Sequence, residues 1–285
     1  MQDAFRQIAG PIGRKLKQLV SPAMVVVSLA GPAVIPTYAD EAPTRIATRS
    51  GDSTSSGATK KHALTPAIKA ATKSRELALQ LKDYKFTFTK QELVKGQLIR
   101  QKMTMKIRQE PFSVYVKYID PHPGREVIYV DGQNQGKLLV HEDGFKALAG
   151  TLAFSPTSEQ VLRETKYPIT NAGMVNLLDA VTTIWRNELN YGESKLAYYP
   201  QAKIDGSPCK MYEVTHPVAR EHFKFHKTRM YIDIKTGLPV RLEQYAFPEG
   251  DAEPQLVEEY TFSNVQTNVG MTDNDFSTKN KSYNF

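Results

Sequence analysis

Cysteine is almost absent: Cys209 stands alone among 285 residues. No internal disulfide can form, so stability has to come from a buried core. Also missing are a run of five or more bases, a phosphate-binding loop, a nucleophile elbow, a zinc-protease helix and a dinucleotide fingerprint. Their absence removes the usual signatures of nucleic-acid binding, nucleotide-dependent chemistry and hydrolysis. The formal charge of +7 does not restore the first of these. Residues 1–39 carry four bases and one acid, so +3 falls there and only +4 on the remainder. Nor is there an unbroken apolar run of the about 20 residues that a spanning helix needs. Residues 19–35 come nearest, but Pro22, Gly31 and Pro32 interrupt them and Pro36 follows.

That interrupted stretch fits a secretory signal. Arg6, Arg14, Lys15 and Lys17 form a basic start, residues 19–35 an apolar middle, and Thr37-Tyr38-Ala39 a small-x-small cleavage pattern. Removal after Ala39 by the general secretory route is expected, because no paired-arginine signal is present. Cys209 lies far from that point and cannot be a lipidated first residue. The expected product is soluble and periplasmic, with no transmembrane anchor. Residues 40–63 are rich in Thr, Ser and Gly and poor in bulky apolar side chains, as in a flexible linker. A single domain is expected over residues 64–278, with 279–285 as a tail.

Within the domain the hydrophobic period changes three times. Thr65-Pro66 reads as a helix start, with Thr65 as cap, and Ala67, Ala70, Ala71, Ser74, Leu77, Ala78 and Leu81 follow helical spacing. From Tyr84 the period is two. Five strands are expected, beginning with Tyr84, Phe86 and Phe88, turning at Lys95-Gly96, and continuing through 98–107, 112–118, 125–130 and 137–141. A second helix is expected from Thr170 to about Asn187, striped by Met174, Leu177, Leu178, Val181, Ile184 and Trp185. Strands over 196–204, 209–215, 222–234, 240–247 and 260–265 complete the pattern. Short connections imply antiparallel pairing. The fold class is therefore α+β: a large curved antiparallel sheet with helices covering one face.

Chemistry-bearing residues are scattered. His222 and His226 are four apart, with His216 upstream, but on a strand that spacing separates them by about 13 Å, too far to share one metal ion. Solvent-facing strand histidines are the simpler reading. Cys209 sits at a strand entry with no nucleophile signature around it and reads as a buried structural thiol. Glu258 and Glu259 are adjacent and so face opposite sides of a strand; Asp273 and Asp275 read as turn caps. No catalytic residue, metal site or cofactor is expected. Inward aromatic and methionine side chains remain, namely Phe86, Phe88, Met103, Met105, Phe112, Tyr129 and Trp185. They could pack as a core or line a cavity between sheet and helices.

Three segments carry a family resemblance: residues 121–141, with Pro121-His122-Pro123-Gly124-Arg125-Glu126-Val127-Ile128-Tyr129-Val130-Asp131-Gly132; residues 167–174, Tyr167-Pro168-Ile169-Thr170-Asn171-Ala172-Gly173-Met174; and the ending from Tyr260 to Gly270, with Asp273 and Phe276. In these the chain resembles an uncharacterised family of exported bacterial proteins, DUF1571, over about residues 64–276. That family is similar in element order to the envelope lipoprotein-carrier (LolA-like) superfamily. The resemblance implies an incomplete β-barrel around helices and a lipid, acyl chain or lipidated protein as partner. His122 and Arg125 are added as candidate ligand contacts. The resulting expectation is a periplasmic carrier that is not an enzyme. An envelope sensor or scaffold that binds another protein by its sheet edges is the alternative, and a cell-envelope hydrolase a third.

Overall fold

The computed structural model describes residues 62–285; the expected signal and nearly all of the expected linker lie outside them. The first element among the described residues is helix α1 (Thr65–Leu79). Strands β1 (Asp83–Val94), β2 (Gln97–Arg108), β3 (Ser113–Asp120), β4 (Glu126–Val130), β5 (Leu138–His141) and β6 (Leu152–Phe154) follow. After them come a single helical turn, α2 (Glu159–Leu162), and the long helix α3 (Met174–Glu188). Strands β7 (Lys195–Ile204), β8 (Ser207–Thr215), β9 (Lys227–Asp233), β10 (Pro239–Tyr245) and β11 (Leu256–Thr267) end the order.

All eleven strands join one antiparallel sheet in the order β6-β5-β4-β3-β2-β1-β11-β10-β9-β8-β7. The sheet is open, with β6 and β7 as its edges. This order forces the site into existence. Chain leaving β6 must reach β7 at the opposite edge, so residues 155–194 cross the whole sheet, and α3 is part of that crossing. Its apolar stripe lies in the main core together with α1 and the facing strand residues. Ala67, Ala71, Ser74 and Ala78 are the buried side chains of α1. Small side chains there permit close approach, and Arg75 of α1 donates to Asp179 of α3.

Several local expectations are adjusted. Thr65 makes no capping bond, because Leu64 occupies the cap position and Pro66 the second helical place. The second helix starts at Met174, not Thr170. Ile169–Asn171 form a separate 3-10 turn, and Gly173 stands at the break with φ +99°. A Cβ on Gly173 would meet the Tyr84 hydroxyl at 2.6 Å. That hydroxyl accepts the first helical N–H, from Met174, at 3.0 Å, so glycine is needed for the cap as well as for the backbone. His222 and His226 lie in the loop between β8 and β9 instead of on a strand. There the His222 ring stacks on Tyr191 with centroids 3.6 Å apart.

Residues 279–285 lie against the outer face of the sheet. Tyr283 stacks on Tyr115 at 4.0 Å, and the Asn284 N–H donates to Glu126 Oε2 at 2.9 Å. Lys106 joins this layer, donating to Asp275 Oδ1 at 2.8 Å and to the Tyr283 hydroxyl at 2.9 Å. Burial works against ionisation of Asp275, but Lys106 and the Thr272 N–H prevail and hold its carboxyl below the usual 3.8. A folded-state value below the unfolded one contributes stability above the ordinary carboxylate range, which is lost as pH falls through the depressed value. Asp275→Asn is therefore expected to cost about 1 kcal/mol near neutrality and progressively less below pH 3.8. Urea unfolding of both proteins across that range reads the difference directly.

Candidate functional site

The inward face of the sheet is built by strict alternation. Cross-strand register places Val140, Val127, Val116, Met105 and Phe86 side by side from β5 to β1. The next row holds Tyr118, Met103, Phe88 and Phe262. Phe262 centres lie 5.1 Å from those of both Phe86 and Phe88. Opposite stand Leu177, Val181 and Ile184 of α3. Between them is a cavity of about 730 Å³, also walled by Leu138, Phe154 and Leu242.

Two residues further along β1 the same inward parity turns polar, with Lys90 and Glu92. Lys90 is opposite Tyr260, and Glu92 is directly opposite Glu258. Like charges facing each other across a ladder are destabilising unless other groups compensate. Here compensation comes from both sides. Lys90 Nζ donates to Glu92 Oε2 at 2.8 Å and to Thr165 Oγ1 at 2.7 Å. The Lys166 backbone N–H donates to Glu92 Oε2 at 2.9 Å, and the Tyr260 hydroxyl to Glu92 Oε1 at 2.9 Å. Lys166 Nζ reaches Glu258 Oε1 at 2.5 Å, and the Tyr167 hydroxyl lies 3.1 Å from both Glu258 oxygens. Burial, then the neighbouring glutamates, push the Tyr260 and Tyr167 hydroxyls well above the usual tyrosine range, so both stay protonated donors. Burial also lowers Lys90 against the pull of Glu92.

Arg125, at the entry to β4, occupies the other polar corner. Its guanidinium reaches Glu142 at 2.8 Å and Glu164 at 2.6 Å, and lies 5.5 Å from the centre of the Tyr118 ring. Burial pushes the Tyr118 hydroxyl up to about 12. Eight ionisable carboxylates and amines or guanidines thus line the cavity, five of them acidic (Glu92, Glu142, Glu164, Asp179, Glu258) and three basic (Lys90, Arg125, Lys224).

Of the expected site residues, the structure brings Phe86, Phe88, Met103, Met105 and Arg125 together in the cavity wall. The other four stand apart from it. Trp185 is fully buried on the core side of α3. Tyr129 bonds Asp131 and packs with Phe112, ring centres 6.3 Å apart. His122 sits at the tip of the β3–β4 hairpin, with φ +64° and its Nε2 3.9 Å from Glu164. The polar cluster around Glu92 and Glu258 was not anticipated. A signal for it existed, since Lys90, Glu92, Glu258 and Tyr260 continue the parity of Phe86, Phe88 and Phe262. Cys209 is buried on the outer face, where its Sγ donates to the Ser207 carbonyl at 3.3 Å. Burial raises its thiol above the usual value, away from reactive thiolate. Among the described residues no group of three or more His, Cys, Asp or Glu is placed to hold a metal ion.

The model of the family described as protein of unknown function (DUF1571) matches residues 81–285. This chain belongs to that family. Solved structures to which it is similar include a DUF1329 family protein from Desulfovibrio piger, at 12% identity over 76% of this chain and 98% of that one, with a TM-score of 0.36. Another is the lipoprotein LppX of Mycobacterium tuberculosis, at 14% identity over 73% and 98%, TM-score 0.43. A third is the Pseudomonas aeruginosa MucA/MucB complex, at 15% over 75% and 61%, TM-score 0.43. Among curated proteins none matches in sequence. The DUF1571 chain has an α+β architecture with one open antiparallel sheet. Among the described residues no helix is long and apolar enough to cross a membrane.

Proposed function

We propose that this DUF1571 protein is an exported, non-catalytic binding or carrier protein that takes an acyl chain or similar apolar ligand into the cavity between its sheet and α3. The cavity of about 730 Å³ carries this reading, since ligand sites occupy about 300–1,000 Å³ and are mostly apolar. The driving force is burial of hydrocarbon, worth about 0.8 kcal/mol for each methylene removed from water. Phe86, Phe88, Met103 and Met105 form its floor, and methionine suits a wall that must accept varied apolar shapes. Release after export places the protein in the periplasm.

Mass spectrometry of organic extracts from protein purified out of native envelopes should find lipid in near-stoichiometric amount; lipid-free protein that also fails to take up Nile red would end the reading. A blocking variant gives a second check. Ala180 of α3 lines the cavity yet is exposed, so Ala180→Trp can fill space without disturbing the core. It is expected to weaken Nile red binding at least about tenfold, equivalent to about 1.4 kcal/mol, with an unchanged unfolding midpoint. A partner-binding role has one specific support, the open edge of β7, ten residues long, which can accept an added strand. A stoichiometric protein partner recovered without lipid would favour that role.

A further inference from the structure

We propose that Phe145 and Leu148 form a prong that dips into a lipid bilayer, and that the protein docks on a membrane surface by it, at the β5–β6 end of its cavity. The two side chains sit on a six-residue 3-10 turn, Gly144–Ala149, that joins β5 to β6. Phe145 is 94% exposed and Leu148 87%, while no other large hydrophobic side chain among the described residues exceeds 49%. In a 3-10 turn, residues three apart eclipse one another, so both side chains project from the same side. Large apolar side chains held together in water mark a surface that gains free energy when something covers it.

The occupant follows from area and surroundings. Taking about 250 Å² for each side chain, the upper figure for large ones, the prong offers at most about 500 Å², short of the about 800 Å² that each partner gives to a stable protein interface. Asp143, Gly144, Gly150 and Thr151 on either side are exposed and add no large apolar side chain. A bilayer demands neither that area nor a complementary shape, because an apolar side chain that passes the head groups is buried by hydrocarbon. The prong is also continuous with the cavity. Leu152, opposite Val140 in the ladder and 39% exposed, extends an apolar row of the inward face toward the loop. Glu142, from which the loop departs, lines the cavity and is held by Arg125 at 2.8 Å. On the cavity reading above, on which this last step rests, hydrocarbon leaving the bilayer at the prong reaches the cavity along that row.

The test sediments the intact mature protein with sucrose-loaded vesicles of phosphatidylcholine alone and measures the bound fraction against lipid concentration. Attachment is expected to be weak and reversible, since even one myristoyl chain binds only marginally. It should survive about 1 M salt, where the Debye length is about 3 Å, because apolar insertion is not screened. Phe145→Asp/Leu148→Asp should lower the partition coefficient at least about tenfold, with an unchanged unfolding midpoint and an unchanged Nile red affinity measured without lipid. In Phe145→Trp the indole emission should shift to the blue when vesicles are added and be quenched by brominated acyl chains. Wild-type protein that stays in the supernatant at millimolar lipid, together with no shift in Phe145→Trp, overturns the proposal and leaves the cavity reading intact. Equal partition of the double Asp variant overturns it too, as does a wild-type dimer in sedimentation equilibrium that this variant abolishes, which would make a second copy the occupant. Protein that binds vesicles by the prong but takes up no Nile red keeps the docking surface and removes the cavity reading.

Discussion

Glu92→Ala is expected to lower the unfolding free energy by about 3–5 kcal/mol, measured by urea denaturation at neutral pH. Glu92 is 1% exposed and accepts from four donors: Lys90 Nζ, Thr165 Oγ1, the Lys166 N–H and the Tyr260 hydroxyl. Removing it takes the carboxylate from a buried ammonium and the acceptor from the Lys166 N–H, while Thr165 Oγ1 and the Tyr260 hydroxyl keep the Tyr167 carbonyl and Glu258 Oε2 within reach. Two of those donors belong to the crossing segment that closes the cavity, so ligand affinity should fall as well. The double variant Lys90→Met/Glu92→Leu separates two accounts of the loss. For an isolated buried ion pair, apolar replacement of both partners commonly restores stability. For a hub it does so only in part, because the Lys166 N–H loses its acceptor, while Thr165 Oγ1 and the Tyr260 hydroxyl turn to the Tyr167 carbonyl and to Glu258 Oε2. The double variant should therefore recover only part of the loss; full recovery would show that the pair alone mattered. Lys90 adds a pH signature. Burial holds it below its ordinary 10.5, so the unfolded chain binds the extra proton between the two values. Stability therefore rises with pH through that window in the wild type, and this rise should be missing in Lys90→Met.

Alternation made much of this fold legible. Tyr84, Phe86 and Phe88 against Lys85, Thr87 and Thr89 revealed β1, and Lys95-Gly96, both with positive φ, revealed the hairpin to β2. The apolar half of the cavity followed from the same parity. Its polar half was missed because charged residues at inward positions look like the end of a strand, whereas β1 continues inward-facing to Val94. The crossing from β6 to α3 was also invisible. β6 has three residues, too few to show a period, and residues 155–173 are held by side-chain bonds to Glu92 and Arg125 rather than by a repeating pattern. The histidine loop misled for a related reason. Phe223 and Phe225 alternate with His222, Lys224 and His226 as a strand would, but both aromatic rings are buried from a loop.

That loop sets up the second large effect, at the far end of α3. His216 is 1% exposed, stacks on Phe223 at 4.0 Å, and has Nδ1 2.7 Å from the Phe225 carbonyl. A carbonyl only accepts, so Nδ1 carries the hydrogen. Nε2 then points at Glu188, the last residue of α3, at 3.3 Å, and neither Glu188 oxygen has another hydrogen-bond partner. A bare ring nitrogen facing a bare carboxylate would repel it, so the contact needs a hydrogen from one side or the other. Glu188→Gln supplies N–H donors of its own in the same shape and should cost no more than about 1 kcal/mol. Glu188→Leu supplies none, strands the imidazole beneath α3, and is expected to cost about 3–5 kcal/mol. Equal losses in the two variants would mean that packing volume, not the shared hydrogen, ties α3 to the loop. A much smaller loss in Gln than in Leu locates the tie in that hydrogen, at the point where the helix that roofs the cavity is anchored to β8.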